Sequence, residues 1–169
     1  MAYLLENFVI EEDPKMIKML KERGYGTLDK EQRLILSPCE ALYLLENKRI
    51  MVKSKNKKVE FKDLMKEFRK KEKDIDIKYA VYSDLRNKGY VLKTGYKFGI
   101  HLRVYEKGIR PGEGKSSFLI EVFSDKELIS FLEIRRLLRI AQITKKSLIL
   151  AIVNESMKID YMKINSIKL

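Results

Sequence analysis

The sequence predicts an α/β chain of the α+β kind in two units. A small amino-terminal α/β unit covers residues 1–74, and a carboxy-terminal unit with helices packed on a mixed sheet covers residues 75–169. Three observations carry that reading. Helix-start signals precede apolar residues at helical spacing in the first half. The second half runs helix, three strands, helix, two strands, an order that places helices against a mixed sheet. Between the halves, at residues 73–75, charge is densest and the apolar pattern breaks.

A chain of 169 residues holds one domain or two small ones, since domains commonly run to about 100–150 residues. The hydrophobic fraction of 45% supplies a core, while no apolar run approaches the ~20 residues of a membrane span. Residues 1–10 have neither the basic start nor the long apolar middle of a secretory signal, and the single cysteine, Cys39, has no partner for an internal disulfide. Both point to a reduced, cytoplasmic chain. Cysteine and histidine are too few for a zinc site, and no metal or cofactor is expected. The 36 Lys and Arg against 24 Asp and Glu leave a net charge of +12. An excess of that sign favours a polyanionic partner through counterion release. Heat adaptation, the competing source of a 36% charged composition, explains the amount of charge but not its sign.

Residues 4–10 read as a strand. Asp13-Pro14 opens a helix, with aspartate as N-cap and proline at the first helical position, that stops near Gly24. Ser37-Pro38-Cys39-Glu40 is a capping box, in which serine bonds the third helical amide and glutamate reaches back. Ala41, Leu42, Leu44 and Leu45 give the following helix its apolar face. A short strand over 50–52 and a turn at Asn56 come next. Phe61, Leu64, Met65 and Phe68 then fall at helical spacing among Lys66, Arg69, Lys70 and Lys71, a charge run that fits either a solvated helix face or an RNA contact. No catalytic constellation falls in this half.

From Asp76 a helix with Ile77, Ala80, Val81 and Leu85 on one face ends at Gly89, a left-handed cap. Strands are expected at 90–92, 100–105, 117–123, 148–153 and 159–164. A helix over 126–143 carries Leu128, Phe131, Leu132, Leu138 and Ile140 as its apolar residues. Glycines punctuate the first two strands and deliver Tyr105 to a basic, glycine-rich loop over 108–115, where a tyrosine is placed to meet a polyanion. In the tail, Ile159, Met162, Ile164 and Ile167 are candidates for burial, in the sheet or across a dimer seam.

Asp84-Leu85-Arg86, Gly89-Tyr90, Lys93, Gly95, Lys97, Gly99, Arg103, Tyr105 and Gly108 occur in order, followed by Arg139-Ile140-Ala141 and by Lys146 before the strand at 148–153. This series resembles the carboxy-terminal domain of the archaeal tRNA-splicing endonucleases, over roughly the second half of the chain. The resemblance implies cleavage of precursor tRNA at bulge-helix-bulge junctions to a 2′,3′-cyclic phosphate and a 5′-hydroxyl. Without a metal, that chemistry needs a base for the 2′-hydroxyl proton, an acid for the leaving 5′-oxygen and a cation beside the phosphorane charge. In the family a tyrosine, a histidine and a lysine supply them.

The tyrosine corresponds to Tyr105 and the lysine to Lys146. The histidine is expected ten residues after the tyrosine, and that position is Lys115, within Gly114-Lys115-Ser116-Ser117-Phe118, whose Ser116 and Phe118 match the family motif and hold the alignment. His101, the only histidine, lies four residues before Tyr105 in the same expected strand, roughly 13 Å away at ~3.3 Å per residue. It reads as a structural or interface histidine. Lysine, with a reference pKa of ~10.4 against ~6.5 for imidazole, is a reluctant proton donor. The expected result is a site that keeps its phosphate-facing shape while its turnover is crippled.

Members of the family form homotetramers, fused dimers and heterotetramers, so a chain without the acid fits a structural subunit beside a catalytic paralogue. Two alternatives stay open: a competent homo-oligomeric enzyme with Lys115 as substitute acid, and a non-cleaving RNA-binding module on the same fold. Arg139 corresponds to an arginine that the family stacks on a bulged base, and the second arginine of that clamp falls at Tyr161. Arg135 and Arg136 fit a helix surface or RNA contacts equally. Arg103 is a candidate RNA contact. Lys107, Arg110, Gly112 and Lys115 fit a phosphate-holding loop or a turn that merely connects strands. Glu155 and Asp160 are the only acids where the family carries an acidic docking loop, which suits a subunit that receives such a loop.

Overall fold

A computed structural model of the chain describes residues 1–109, 111–167 and 169 and divides the chain into two compact units, Met1–Tyr79 and Ala80–Leu169. In the first unit β1 (Ala2–Leu5) and β2 (Phe8–Glu11) form an antiparallel hairpin. This corrects the single strand expected over 4–10: Glu6 takes a left-handed φ of 50° and reverses the chain, leaving Leu5 opposite Phe8. α1 (Pro14–Glu22) starts as expected, the Asp13 carboxylate accepting the Lys15 and Met16 amides at 2.8 and 3.4 Å. β3 (Thr27–Leu28) and β4 (Leu34–Leu36) have no counterpart among the expected strands. α2 (Pro38–Glu46) begins on a buried Glu40, whose carboxylate accepts the Ser37 and Gly26 amides, both at 2.9 Å.

The strand expected over 50–52 lies instead at β5 (Val52–Ser54) and returns as β6 (Lys57–Val59) through a turn in which Lys55 and Asn56 have φ of 47° and 65°. α3 (Phe61–Arg69) turns Leu64, Met65 and Phe68 inward, as its spacing predicts. The six strands run β3-β4-β2-β1-β5-β6, with β1 and β5 parallel and the other pairs antiparallel. Ala2, Val9, Leu34, Leu36 and Val52 of this sheet share one core with Leu42, Leu64 and Phe68. Ile75 and Tyr79, from the start of α4 (Ile75–Asn87), belong to the same core.

In the second unit the rest of α4 is followed by β7 (Val91–Thr94), a short 3₁₀ turn at Tyr96–Phe98, β8 (Leu102–Tyr105) and β9 (Phe118–Ser124). α5 (Phe131–Thr144), β10 (Ser147–Val153) and β11 (Ile159–Ile164) complete it. The sheet order is β11-β10-β9-β8-β7, with β9 and β10 parallel and the rest antiparallel. This is the mixed sheet the sequence predicts. Leu119, Leu148 and Leu150 meet Leu137 and Ala141 of α5 in its core.

The helix expected over 126–143 is corrected at its start. Ser130 caps it, accepting the Glu133 amide at 3.2 Å, and Leu128, Phe131 and Leu132 are 98%, 86% and 75% exposed. Leu128 precedes the helix altogether, and for Phe131 and Leu132 the reason is phase. Leu137 and Ala141 define the buried line, and Leu132, five residues before Leu137, falls about 140° around the helix from it. In the tail Ile164 packs against the core, whereas Met162 and Ile167 are exposed. Among the described residues no helix is long and apolar enough to cross a membrane.

Candidate active site

β8 runs antiparallel to β9, and β9 parallel to β10, so the end of β8 and the residues entering β9 and β10 meet at one end of the sheet. Tyr105 closes β8 and is buried. Ser117 ties the three strands there: its N–H donates to the Val104 carbonyl at 2.9 Å and its carbonyl accepts the Ser147 amide at 3.1 Å. Continuing the ladders by one residue puts Tyr105, Ser117 and Lys146 side by side on one face, with about 10 Å, two strand spacings, between the backbones of 105 and 146.

The end of α5 delivers Lys146. Lys145 takes a left-handed φ of 54°; its amide donates to Gln142 at 3.1 Å and that of Lys146 to Ala141 at 2.9 Å, the pairing that closes a Schellman turn. The Lys146 ammonium then donates to the Ser116 carbonyl at 2.6 Å, which sets it against the segment carrying Lys115. Burial lowers the pKa of Lys146, and the positive charges of Arg103 and Lys115 lower it further. Lys115 itself is exposed, next to a buried Ser116. Its loop folds back on itself: Pro111 and Gly114 form an isolated bridge, and a Cβ on Gly114 would lie 2.6 Å from Ile109 Cγ2.

The other residues singled out in the sequence are placed differently. Arg103 donates from Nε to the Thr94 carbonyl at 3.1 Å and lies 5.4 Å over the Phe98 ring, so its guanidinium is bound along the sheet. Lys107 is exposed, its ammonium 5.4 Å over the Tyr90 ring. Arg110, expected in the phosphate-holding loop, lies outside the described residues. Arg139 is exposed on α5 and lines a cavity of about 630 Å³ together with Arg135, Arg136, Leu132 and Leu138. Arg136 is partly committed, forked onto Glu133 at 2.8 and 2.6 Å and donating to the Gly99 carbonyl at 2.9 Å. Tyr161, the second clamp position, donates its hydroxyl to Asp84 at 2.6 Å, and burial together with that carboxylate pushes its pKa up.

His101 sits outside this constellation. Its backbone N–H donates to the buried Glu121 carboxylate at 2.9 Å and its Nδ1 accepts the Val122 amide at 3.0 Å, so side chains continue the ladder between β8 and β9 beyond Leu102. An accepting Nδ1 carries no proton, which fits the structural reading of this histidine. Two features escaped the sequence. The Ser116 carbonyl that Lys146 finds is a backbone group with no residue signature. The cavity beside Arg139 had a signal, the three arginines Arg135, Arg136 and Arg139 spaced along one helix, but spacing alone does not show that they line a hollow.

One fold unit carries a buried tyrosine, two lysines and a cavity lined by three arginines, a basic set suited to a phosphodiester polyanion. Comparison with known proteins agrees with that chemistry. Residues 75–161 match the sequence model of the tRNA intron endonuclease catalytic C-terminal domain, and residues 1–65 match that of the tRNA intron endonuclease N-terminal domain. The chain is 41% identical over 167 residues to a tRNA-splicing endonuclease of Pyrococcus horikoshii, covering 98% of this chain and 95% of that protein. It is 35% identical over 166 residues to one of Thermococcus kodakarensis, covering 98% and 97%. It is also 35% identical over 169 residues to one of Methanococcus vannielii, covering 99% and 94%. Matched in both of its halves and along nearly its whole length, the chain belongs to the tRNA intron endonuclease family.

Proposed function

We propose that this chain is a subunit of a tRNA-splicing endonuclease that cleaves precursor tRNA at bulge-helix-bulge junctions to 2′,3′-cyclic phosphate and 5′-hydroxyl ends, without metal. In that complex it is the structural subunit of a heterotetramer, beside a paralogue that carries the chemistry. The observation that carries this reading is Lys115. At the sheet end shared by Tyr105 and Lys146, the position where the family's reaction needs a proton donor holds a second ammonium group. Two cations and a phenol bind a phosphate better than they turn it over, because an alkylammonium is a far weaker proton donor than the imidazolium the reaction calls for. Tyr105 and Lys146 keep the places of the base and the charge-stabilising cation. Arg139 and its cavity hold the bulged base, and Lys107 touches the backbone beside it. Glu155 is ion-paired with Lys126, which favours a subunit that receives an acidic loop from its partner over one that supplies it.

A second reading, a competent enzyme with Lys115 as its acid, has one observation in its favour. The charge of Lys115 reaches Lys146 and is one of the two like charges that, after burial, lower its pKa, so the two amines act in one site. Cleavage of a labelled precursor tRNA by the chain alone, at raised temperature and without added metal, separates the two. The structural reading expects no cut, and cyclic-phosphate ends once Lys115→His is introduced. Efficient cutting by the unaltered chain, abolished by Tyr105→Phe, refutes it.

A further inference from the structure

We propose that the β5–β6 hairpin of the first unit is a separate binding site for the phosphodiester backbone of double-helical RNA, an inference that rests on RNA being the chain's substrate. Residues 47–59 hold Lys48, Arg49, Lys53, Lys55, Lys57 and Lys58 and no acidic residue. All six are exposed, and Lys58 alone of them is ion-paired among the described residues, to Glu60 at 2.8 Å. The register sets Lys53 directly opposite Lys58, and Lys57 opposite Ser54. Like charges facing each other across a ladder destabilise a hairpin, so the arrangement works against folding unless an anion lies over it. Lys55 and Asn56, both left-handed, close a two-residue turn that holds a further ammonium at the tip.

Edge protection and heat adaptation each account for less of this pattern. Lysines guard exposed sheet edges against pairing with other chains, and β6 is an edge strand, which covers Lys57 and Lys58. Lys53, however, lies on β5, between β1 and β6. Heat adaptation builds networks of alternating sign, whereas this segment has one sign only. Lys53 and Lys58 paired on one face of a twisted ribbon, with Lys57 on the other and Lys55 at the tip, spread ammonium groups over a ribbon end that suits the phosphates of a duplex. The deep, narrow major groove of A-form RNA leaves its backbone and shape as what such a ribbon reads, so the site is indifferent to sequence.

The test uses the full chain and a 20-base-pair RNA duplex without bulges, with affinity measured over a range of salt concentrations. Lys53→Gln, Lys55→Gln, Lys57→Gln and Lys58→Gln combined should flatten the slope of log affinity against log salt by about 2–4, at ~0.9 for each phosphate no longer neutralised. Arginine at the same four positions should keep both slope and affinity, which separates the removal of charge from a failure to fold. An unchanged slope in the glutamine variant overturns the proposal, and so does aggregation of that variant with duplex binding intact, which would mark the lysines as edge protection. Cleavage of precursor tRNA, alone and with a catalytic paralogue, is followed in parallel. Absence of cleavage even with the catalytic paralogue, beside a hairpin-dependent slope, refutes the proposed function and leaves the hairpin site standing, whereas cleavage only with the paralogue and an unaffected slope refutes the hairpin site alone.

Discussion

Replacing Tyr161 by phenylalanine should cost this fold a tie between α4 and β11 that spans 77 residues of sequence. The Asp84 carboxylate accepts the Tyr161 hydroxyl at 2.6 Å and the Lys88 ammonium at 2.7 Å, while Lys88 also lies 5.2 Å over the Tyr161 ring. Hydrogen bonds to a charged group contribute about 1.5–3 kcal/mol. The Lys88 side chain is 52% exposed, so its ion pair is screened and adds no more than ~1 kcal/mol. Tyr161→Phe removes the first and leaves the second, a loss near the lower figure, ~1.5 kcal/mol, since the pair is only partly buried. At roughly 4–8 °C per kcal/mol for a unit of this size, the melting temperature should fall by roughly 6–12 °C.

The same carboxylate gives the pH dependence its sign. Burial raises the Asp84 pKa, but the Lys88 and Tyr161 hydrogen bonds outweigh it and hold the carboxyl below its ordinary value. A carboxylate with a depressed folded pKa gives stability that is present above the unfolded value of ~3.9 and lost as pH falls through the folded one. Thermal melts of both proteins between about pH 3 and pH 7 should therefore converge at the acid end. A difference below ~2 °C at neutral pH, or one that stays constant into acid, refutes the reasoning.

Two further substitutions probe the frame of the second unit, one at the far end of β8 from Tyr105 and one beside Lys146. Gly95→Ala places a Cβ 2.6 Å from the Ile100 carbonyl oxygen, a backbone group already in a tight turn, and should destabilise by about 1–3 kcal/mol, read from the urea midpoint. Lys145→Gly relieves a left-handed conformation that costs a lysine about 1–2 kcal/mol, partly offset by the freer unfolded chain. It should raise the midpoint slightly, and a fall would show that the Lys145 side chain holds the helix end.

The starts of α1 and α2 were legible because their causes are local. Asp13-Pro14 and Ser37 with Glu40 carry capping groups within three residues of each other, and both helices begin where those groups predict. β3 and β4 were not, being two and three residues long, and the β1–β2 turn passes through Glu6-Asn7 without a glycine to announce it. Phe131 and Leu132 show what apolar character leaves out: it says that a residue gains by burial, while helical phase decides whether it is buried. The ties of Tyr161 to Asp84 and of His101 to Glu121 and Val122 join residues 20 or more apart in sequence, and no spacing rule reaches them. In the site, by contrast, motif order matched register. Tyr105, the segment 115–117 and Lys146 reach one sheet end because each lies at a strand's end or just before its start.

That arrangement separates the frame of the site from its chemistry. Tyr105 is held by the β7–β8 ladder, Ser117 by amide bonds to two strands, and Lys146 by the closing turn of α5. None of these bonds uses the side chain at 115, which stands at an exposed position and can change without refolding its neighbours. What a lysine there changes is the field. Together with Arg103 it bears on Lys146, whose pKa is lowered first by burial and then by these two like charges. A phosphate lying between the two ammonium groups exchanges that repulsion for two attractions, which raises the Lys146 pKa back toward its ordinary value. The like charges strain the site by themselves, and an anion relieves them. On the reading proposed above, a frame kept intact around a charge pattern of that kind holds a phosphodiester better than it releases a cut one.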